Sequence, residues 1–198
     1  MPTIVSDLVD AYVFRRIHAR LQFLLLLRRP DAPLGNTWQA VHEKIEPGES
    51  AFEAAQRAVL EATGIVASEA FSADFVNPVY DHTRDAIVLA PVFAFGVLPR
   101  TQIVLGEAFS DQAWCERDEA TARLLWSGQR WAVRHIDEVI GLGGPDAEFY
   151  RLACAGNSGV GVVAGVPRPP SPPLPLRPAR GTGRASSRDT GGTAASSR

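Results

Sequence analysis

Cysteine is scarce in this chain: Cys115 and Cys154 are the only two among 198 residues, and no C-x-x-C pair occurs. Neither a cysteine-based zinc site nor a disulfide framework is indicated. Long apolar runs are missing too. The longest, residues 23–27, is far shorter than the ~20 residues that span a bilayer, and the N-terminus lacks a signal-peptide pattern. We therefore expect a cytoplasmic protein with free thiols and no membrane partner.

Lysine is almost absent as well, since Lys44 is the single lysine among 20 basic residues. The net charge of −2 is unevenly distributed. Residues 156–198 carry six arginines and one aspartate, which leaves a net charge of −7 on residues 1–155. An acidic folded part offers no broad basic face, so nucleic acid is not an expected partner.

Composition divides the chain into two parts. Seven prolines fall within residues 167–178, and glycine, serine, threonine and arginine make up most of the rest of residues 156–198. A segment of this kind cannot bury enough apolar surface to fold by itself. We predict one globular domain over residues 1–155, followed by a disordered tail rich in Pro, Arg, Ser and Gly over residues 156–198.

The most informative stretch is residues 43–65, EKIEPGESAFEAAQRAVLEATGI. The Pro-Gly pair at 47–48 marks a turn, and Ser50 or Glu49 is suited to cap the helix that follows. The next residues are good helix formers, and Gly64 stands where a left-handed C-terminal cap belongs. The pattern predicts a turn followed by a helix over residues 51–63 that ends just before Gly64.

This stretch resembles the Nudix box, G-x5-E-x7-R-E-U-x-E-E-x-G-U, in which U is a bulky aliphatic residue. The box matches at Glu49, Arg57, Val59, Glu61, Gly64 and Ile65, and it departs from the pattern at Glu43, Ala58 and Ala62. The segment that begins at Trp38 and leads into the box, WQAVHEKIEPGE, is also similar to Nudix proteins. The later residues around Glu107 and Trp114 resemble one subgroup of the family, the dihydroneopterin triphosphate pyrophosphatases.

The resemblance implies a fold and a chemistry. The fold is α/β, a Nudix-type α/β/α sandwich with a mixed sheet. The chemistry is hydrolysis of a nucleoside diphosphate linked to another group, or of a related pyrophosphate, with Mg²⁺ or Mn²⁺ as cofactor. In this family the glutamate and arginine at Glu49 and Arg57 brace the loop against the helix, and the glycine at Gly64 ends the helix.

The departures fall on the metal site of the family. That site uses helix carboxylates three and four residues apart, which share one helix face. Here the three positions hold Ala58, Glu61 and Ala62, so one carboxylate remains, and Mg²⁺ prefers several hard oxygen ligands. Two functions stay open: a divergent hydrolase with a weakened or rearranged metal site, and an inactive Nudix-fold module that binds a nucleotide or a protein partner.

Candidate site residues follow from this register. For each one, the alternative is an ordinary surface or core residue, and His42 and His82 are interpreted as loop histidines. The resemblance makes Glu61 and Glu43 candidates for catalysis. The candidates for binding the metal are Glu61, Glu107 and Glu46. The candidates for contact with a base or pterin ring are Trp38, Gln39 and Tyr80.

Hydrophobic patterning predicts the remaining elements. A polar loop is expected over residues 77–85. Strands are predicted over residues 4–14, 21–27, 38–41, 65–76, 86–97 and 102–105, another strand should end at Trp114, and helices are predicted over residues 117–126 and 129–140.

Overall fold

A computed structural model describes residues 1–141, 143 and 145–154 of the protein. The predicted domain boundary at residue 155 and the predicted tail over 156–198 lie outside these described residues. Within them, no helix is long and apolar enough to cross a membrane.

Nine strands and three α-helices form from the described residues. Short π-helical and 3₁₀ turns follow the last helix at Asp137–Gly141 and Pro145–Tyr150. The strands are β1 (Thr3–Val5), β2 (Leu8–Ile17), β3 (Arg20–Arg28), β4 (Trp38–Gln39), β5 (Val41–Lys44), β6 (Glu69–Asp81), β7 (Ala86–Val97), β8 (Phe109–Glu116) and β9 (Arg151–Leu152), and the helices are α1 (Ala51–Thr63), α2 (Arg117–Arg123) and α3 (Ser127–Ile136).

The strands build one mixed sheet. Its main path runs β4-β3-β2-β7-β6-β9, while β1 pairs with β7, β5 with β2 and β8 with β3. The pairs β1–β7 and β2–β7 are parallel, and the other pairs are antiparallel. β2 therefore contacts three strands, and its side chains alternate between the two faces of the sheet.

Each sheet face carries its own apolar core. On one face Val9, Ala11 and Val13 of β2 pack in a cluster with the buried side of α1. On the other face Tyr12 and Phe14 pack with α3 and the turn after it. Helices thus cover both faces of the mixed sheet, which confirms the predicted α/β/α sandwich.

The ends of α1 follow from local chemistry. Ser50 is the N-cap, and it forms a capping box in which its hydroxyl accepts from the Glu53 N–H while the Glu53 carboxylate accepts from the Ser50 N–H. Gly64 ends the helix in the left-handed conformation with φ 66°, and its N–H donates to the Leu60 carbonyl at 2.7 Å. The helix bounds are the predicted ones.

Several element predictions were wrong. β2 continues to Ile17, because the turn is only His18–Ala19, both with positive φ. β6 starts later than predicted and includes residues 77–81, which were predicted to be a loop. Residues 102–105 form no strand. The predicted helix over 117–126 ends at Arg123, and the predicted helix over 129–140 begins earlier, at Ser127, and changes to π-helical geometry after Ile136.

Candidate functional site

Arg57 connects the loop before α1 to the helix. Its Nε and Nη2 donate to the two carboxylate oxygens of Glu49, each at 2.9 Å, and Nη2 also donates to the Lys44 carbonyl at 2.9 Å. The second Glu49 oxygen accepts from the Glu46 N–H at 3.0 Å. The hydrogen bond to Glu49 raises the pKa of Arg57 further above its usual value, so this guanidinium stays charged. One side chain therefore fixes β5, the loop and the helix relative to one another.

Glu61 lies one turn further along α1, on the same side as Arg57. Its side chain is 60% exposed, and its carboxylate is 3.4 Å from Arg57 Nη1. The segment before Glu107 crosses this end of the helix: the Gly106 N–H donates to the Ala62 carbonyl at 2.9 Å, and the Val104 N–H donates to the Thr63 carbonyl at 2.9 Å. Glu107 therefore directly follows Gly106, whose backbone contacts the last turn of α1.

Gly106 makes this approach possible. A Cβ built on Gly106 would lie 2.5 Å from the Glu61 carbonyl oxygen, which is backbone and cannot rotate away. The absence of a side chain at this position allows the segment to lie directly on the helix.

Ala58 and Ala62 are buried, at 3% and 8% exposure, within the apolar cluster between α1 and the sheet. The two positions that lack the glutamates of the Nudix pattern therefore belong to the core here. Among residues 1–141, 143 and 145–154, no group of three or more His, Cys, Asp or Glu side chains lies close enough together to hold a metal ion.

Glu43 and Glu46 lie at the entrance to α1. Glu43 is on β5 opposite Val9, so it belongs to the α1 face of the sheet, and its exposed carboxylate accepts from the Lys44 N–H at 2.8 Å. Glu46 is exposed in the loop that Arg57 and Glu49 hold. These two carboxylates and Glu61 are thus attached to one braced unit, while Glu107 comes from a separate segment.

Gln39 and Tyr80 line one cavity of about 310 Å³ on the opposite face of the sheet, between the strands and the first turn of α3. Tyr80 is 60% exposed and donates its hydroxyl to Asp85 at 2.9 Å. Trp38 does not line this cavity. Its half-buried ring packs on the core, with the Arg123 guanidinium 5.0 Å from the ring centroid.

The floor of this cavity contains a buried carboxylate, Asp10, at 1% exposure. Asp10 accepts from Asn77 Nδ2 at 2.9 Å with one oxygen, and its other oxygen is hydrogen-bonded to His42 Nδ1. Asp10 and His42 are directly opposite each other on β2 and β5. His42, interpreted as a loop histidine from the sequence, therefore lies on a strand and has a buried partner.

Burial lowers the pKa of His42, but the hydrogen bond and the charge of Asp10, with a further contribution from Glu43, outweigh it. The pKa of His42 is therefore raised above the ordinary imidazole value.

The sequence contained a signal for this cluster that patterning did not use. Asp10 interrupts an otherwise apolar strand, LVDAYVF, and a carboxylate inside a buried strand requires hydrogen-bonding partners. The identity of those partners, 32 and 67 residues away, was not readable from local spacing.

The opposite wall of the cavity is the start of α3. This helix has no side-chain cap, and Ser127, Gly128 and Gln129 line the cavity. Gln129 is buried at 5% exposure, and its Oε1 has no hydrogen-bond partner among the described residues. Gly128 packs closely on Asn77, since a Cβ at Gly128 would lie 1.9 Å from Asn77 Oδ1.

Comparison with known proteins identifies the family. The NUDIX domain model matches residues 8–136, so the chain belongs to the Nudix domain family. Members of this family typically use a divalent metal. A comparison with curated protein sequences finds no match.

Three solved structures illustrate the likeness. The Caenorhabditis elegans Ap4A hydrolase in a binary complex is 17% identical, with 69% of this chain and 98% of that chain covered and a TM-score of 0.59. The Escherichia coli dihydroneopterin triphosphate pyrophosphohydrolase is 20% identical, with 66% and 95% covered and a TM-score of 0.53. The NUDIX domain of Shewanella oneidensis NrtR, complexed with ADP ribose, is 17% identical, with 71% and 89% covered and a TM-score of 0.56. At these identities the likeness shows the fold.

Proposed function

We propose that this protein is a divergent Nudix hydrolase that acts on a nucleoside diphosphate-linked or related pyrophosphate substrate through a weakened and rearranged metal site. One observation supports the proposal: the Gly106 N–H donates to the Ala62 carbonyl in the last turn of α1, so Glu107 directly follows a residue that contacts the backbone beside Glu61. In this proposal the Glu107 carboxylate would substitute in part for the two glutamates that the helix lacks.

The donor set fits a magnesium or manganese ion of low affinity. Mg²⁺ at phosphate-handling sites is commonly held by one or two carboxylates together with the phosphates of the substrate. Glu61 and Glu107 would supply those carboxylates, with Glu46 as a further candidate. When bound, the ion would neutralise negative charge on the phosphate oxygens.

The protein's own residues have separate roles in this proposal. Arg57 holds Glu49 and the loop in position and restrains Glu61 from one side. Glu43 and Glu61 are the candidates to orient or deprotonate the attacking water, because both are exposed carboxylates attached to the unit that Arg57 braces. The cavity that contains Gln39 and Tyr80 would take the base or pterin end of the substrate. The complex of the NrtR domain with ADP ribose supports a nucleotide as ligand.

A second function, a non-hydrolytic module that binds a nucleotide, is favoured by the burial of Ala58 and Ala62. A buried alanine leaves no room for a carboxylate without repacking, and no three-carboxylate group exists among the described residues.

The experiment is release of phosphate or pyrophosphate with Mg²⁺ or Mn²⁺ from nucleoside triphosphates, nucleotide sugars, dinucleoside polyphosphates and dihydroneopterin triphosphate. If the protein is a hydrolase, we expect activity in the wild type and a loss of at least about tenfold in each of the variants Glu61→Gln and Glu107→Gln. Glu138→Gln, which changes an exposed carboxylate just beyond α3, is the matched control and should have no effect.

The two functions give opposite results in one further variant. If the wild type is silent while a folded Ala58→Glu/Ala62→Glu protein is active, the scaffold has lost catalysis and the hydrolase proposal is wrong. Circular dichroism must accompany that assay, because both substitutions place a carboxylate in the core.

A further inference from the structure

His42 lines the cavity between the sheet and α3 with one of its ring nitrogens already occupied. Its Nδ1 is hydrogen-bonded to Asp10, and both residues line the cavity. The Asp10 side chain is only 2% exposed, whereas the His42 side chain is 39% exposed. Nδ1 and Nε2 lie on different edges of the imidazole ring, so the edge that carries Nε2 is the one left for a ligand.

The imidazole ring of His42 is held in place by its partner. Asp10 contacts His42 with one carboxylate oxygen and accepts from Asn77 Nδ2 at 2.9 Å with the other. Asp10 and His42 are also directly opposite each other in the β2–β5 pair, so the backbone sets the distance between them. A ligand that contacts Nε2 therefore meets a nitrogen whose position is set before binding, which lowers the entropic cost of the contact.

Protonation of His42 gives this cavity a positive charge. Among the described residues that line the cavity, none is lysine or arginine, and Asp10 is the single carboxylate. A buried carboxylate requires hydrogen bonds and a compensating charge, and His42 supplies both when it is protonated. Nε2 then carries a proton and is a charge-assisted donor, while the two oxygens of Asp10 are already engaged. In this state the cavity presents a charged N–H to an anion.

Charged groups on three strands determine when His42 is protonated. Burial lowers its pKa, but the hydrogen bond and the charge of Asp10 on β2 outweigh this effect. Glu43 on β5 raises the pKa further, and Arg28 at the end of β3 lowers it. The hydrogen bond from Tyr80 on β6 to a neighbouring carboxylate raises the pKa of this phenol, and the lining residues of α3 are uncharged. The cavity therefore presents a charged donor at low pH and a neutral ring nitrogen at high pH.

His42 also stands between the cavity and the carboxylates of the α1 loop. Successive side chains of a strand point to opposite faces, so His42 faces the cavity while the next residue, Glu43, faces the α1 side. Both side chains are exposed, and among the described strands only β2 pairs with β5. The other edge of β5 therefore has no neighbouring strand, and the route around this edge from the cavity to Glu43 passes His42.

We propose that the imidazolium of His42 binds the phosphate group nearest the nucleoside of the ligand, with Nε2 donating to a phosphate oxygen and Asp10 holding the ring in position. The base occupies the cavity beside Tyr80, and any further phosphates continue around the edge of β5 towards Glu43. His42 contacts the ligand directly, and Asp10 is a positioning residue. The inference rests on the proposed function only in taking a nucleotide as the ligand.

The test is calorimetric binding, without divalent metal, of the four common ribonucleosides and of their 5′-methyl phosphates. A phosphate monoester gains or loses its second proton at about pH 6, and the methyl ester lacks this ionisation, so its phosphate charge is constant. The ratio of ester to nucleoside affinity cancels the contribution of the base. For at least one nucleoside we expect a ratio of about ten at about pH 6 that falls towards one at about pH 8.5, because the charge-assisted hydrogen bond is lost.

Three results would overturn the proposal. They are a ratio that does not change with pH, no binding of any methyl ester, and binding of dimethyl phosphate as tight as that of the best ester. The last result would show a general anion site that does not recognise a nucleotide.

Variants assign the effect to the pair. His42→Gln should give a ratio near one at both pH values. His82→Gln changes an exposed histidine in the turn between β6 and β7, and as the matched control it should behave like the wild type. In Asp10→Asn the charge that favours the imidazolium is lost, so the ratio should fall at a lower pH than in the wild type. A wild-type pH dependence in His42→Gln refutes the assignment.

A measurement on the wild type alone guards against variants that fail to fold. NMR titration of the assigned imidazole signals gives the pKa of His42 with and without ligand. A ligand that binds the protonated ring must raise this pKa, so we expect the methyl ester to raise it and the nucleoside to leave it unchanged. An ester that binds without raising the pKa of His42 contradicts the proposal, because a purely structural histidine would give that result.

The outcome is independent of the hydrolase proposal, since binding is measured without metal and without turnover. A pH-dependent preference for the ester in a protein that hydrolyses nothing supports the inference and favours the binding module. Efficient hydrolysis in a protein whose ester preference does not depend on pH supports the hydrolase and refutes the inference.

Discussion

Arg57 is the residue on which the geometry of the α1 loop depends, because one planar guanidinium contacts Glu49 with two nitrogens and the Lys44 carbonyl with one of them. A lysine has one charged nitrogen and cannot reproduce the paired contact. We expect Arg57→Lys to lower the melting temperature by about 3 °C and to reduce any hydrolytic activity more strongly than it reduces nucleotide binding. The measurements are thermal unfolding and the hydrolysis assay.

The control for this prediction is Arg20→Lys. Arg20 also pairs with a glutamate, Glu116, but both side chains are more than half exposed. Such a pair contributes little to stability, so the melting temperature should not change. Equal effects of the two substitutions would show that the contacts of Arg57 are no more important than a surface ion pair.

His42 gives the protein a pH dependence whose sign is determined. Its pKa in the folded protein is raised above the unfolded value because Asp10 outweighs the effect of burial. The stabilisation is therefore complete below an unfolded pKa of about 6.5 and is lost as the pH rises through the folded pKa. We expect the free energy of unfolding, measured in urea, to fall from about pH 6 to about pH 9 by a larger amount in the wild type than in His42→Gln. Parallel curves for the two proteins would contradict this assignment.

At the scale of elements, the C-terminal end of α1 depends on Gly64. Its φ of 66° disfavours any side chain, and a Cβ there would also lie 3.1 Å from the Cβ of Val104. We expect Gly64→Ala to reduce the free energy of unfolding by about 2 kcal/mol. Gly48→Ala, with φ 87° and nothing within 4 Å of the new Cβ, should cost only about 1 kcal/mol. Equal losses of free energy in the two variants would show that Val104 moves aside without an energetic cost.

The segment that crosses α1 provides a second test at this scale. In Gly106→Ala the new Cβ would meet the Glu61 carbonyl at 2.5 Å, so the segment must move away from the helix and carry Glu107 with it. We expect the Mg²⁺ concentration needed for half-maximal hydrolysis to rise about tenfold. Gly35→Ala has a comparable clash, 2.4 Å from the Pro30 carbonyl, but lies in the β3–β4 loop, and it controls for general damage. The same rise in both variants would exclude a specific role for the segment.

The elements that local patterning predicted well are those whose ends are fixed by local chemistry. The bounds of α1 follow from Ser50 and Gly64, and β7 is a long apolar run that lies in the middle of the sheet. Residues 77–81 were misread because Asn77 and Pro78 are typical of loops. Pro78 pairs with Leu89 of β7, and none of the residues that the structure describes forms a second partner strand beside it, so its missing N–H does not interrupt a ladder. Residues 102–105 look like a strand locally, but their segment instead donates hydrogen bonds to α1.

At the scale of the whole molecule, the candidate site was only partly readable from the sequence. The box register assigned Glu43, Glu46 and Glu61 because all three lie within a few residues of one helix. The position of Glu107 depends on where a distant loop crosses that helix. The cluster of Asp10, His42 and Asn77 depends on the order of the strands. β5, which carries His42, lies on one side of β2. On the other side β7 follows, and then β6, which carries Asn77. Strand order of this kind depends on how residues far apart in the sequence pack into the two apolar cores, so no local sequence pattern predicts it.

The predicted division of the chain at residue 155 leads to the last prediction. The residues of the two apolar clusters on the sheet faces lie between positions 9 and 154, and the composition of residues 156–198 offers few large apolar side chains. Deleting residues 156–198 should therefore leave the melting temperature within about 1 °C of that of the full chain, as measured by scanning calorimetry. A protein that ends at residue 150 is the control. It loses β9, which pairs with Ala70 and Phe71, and the Arg151 guanidinium that lies 4.8 Å from the centre of the Phe71 ring, so it should melt several degrees lower. If the first deletion lowers the melting temperature as much as the second, residues 156–198 contribute to the folded domain and the predicted division is wrong.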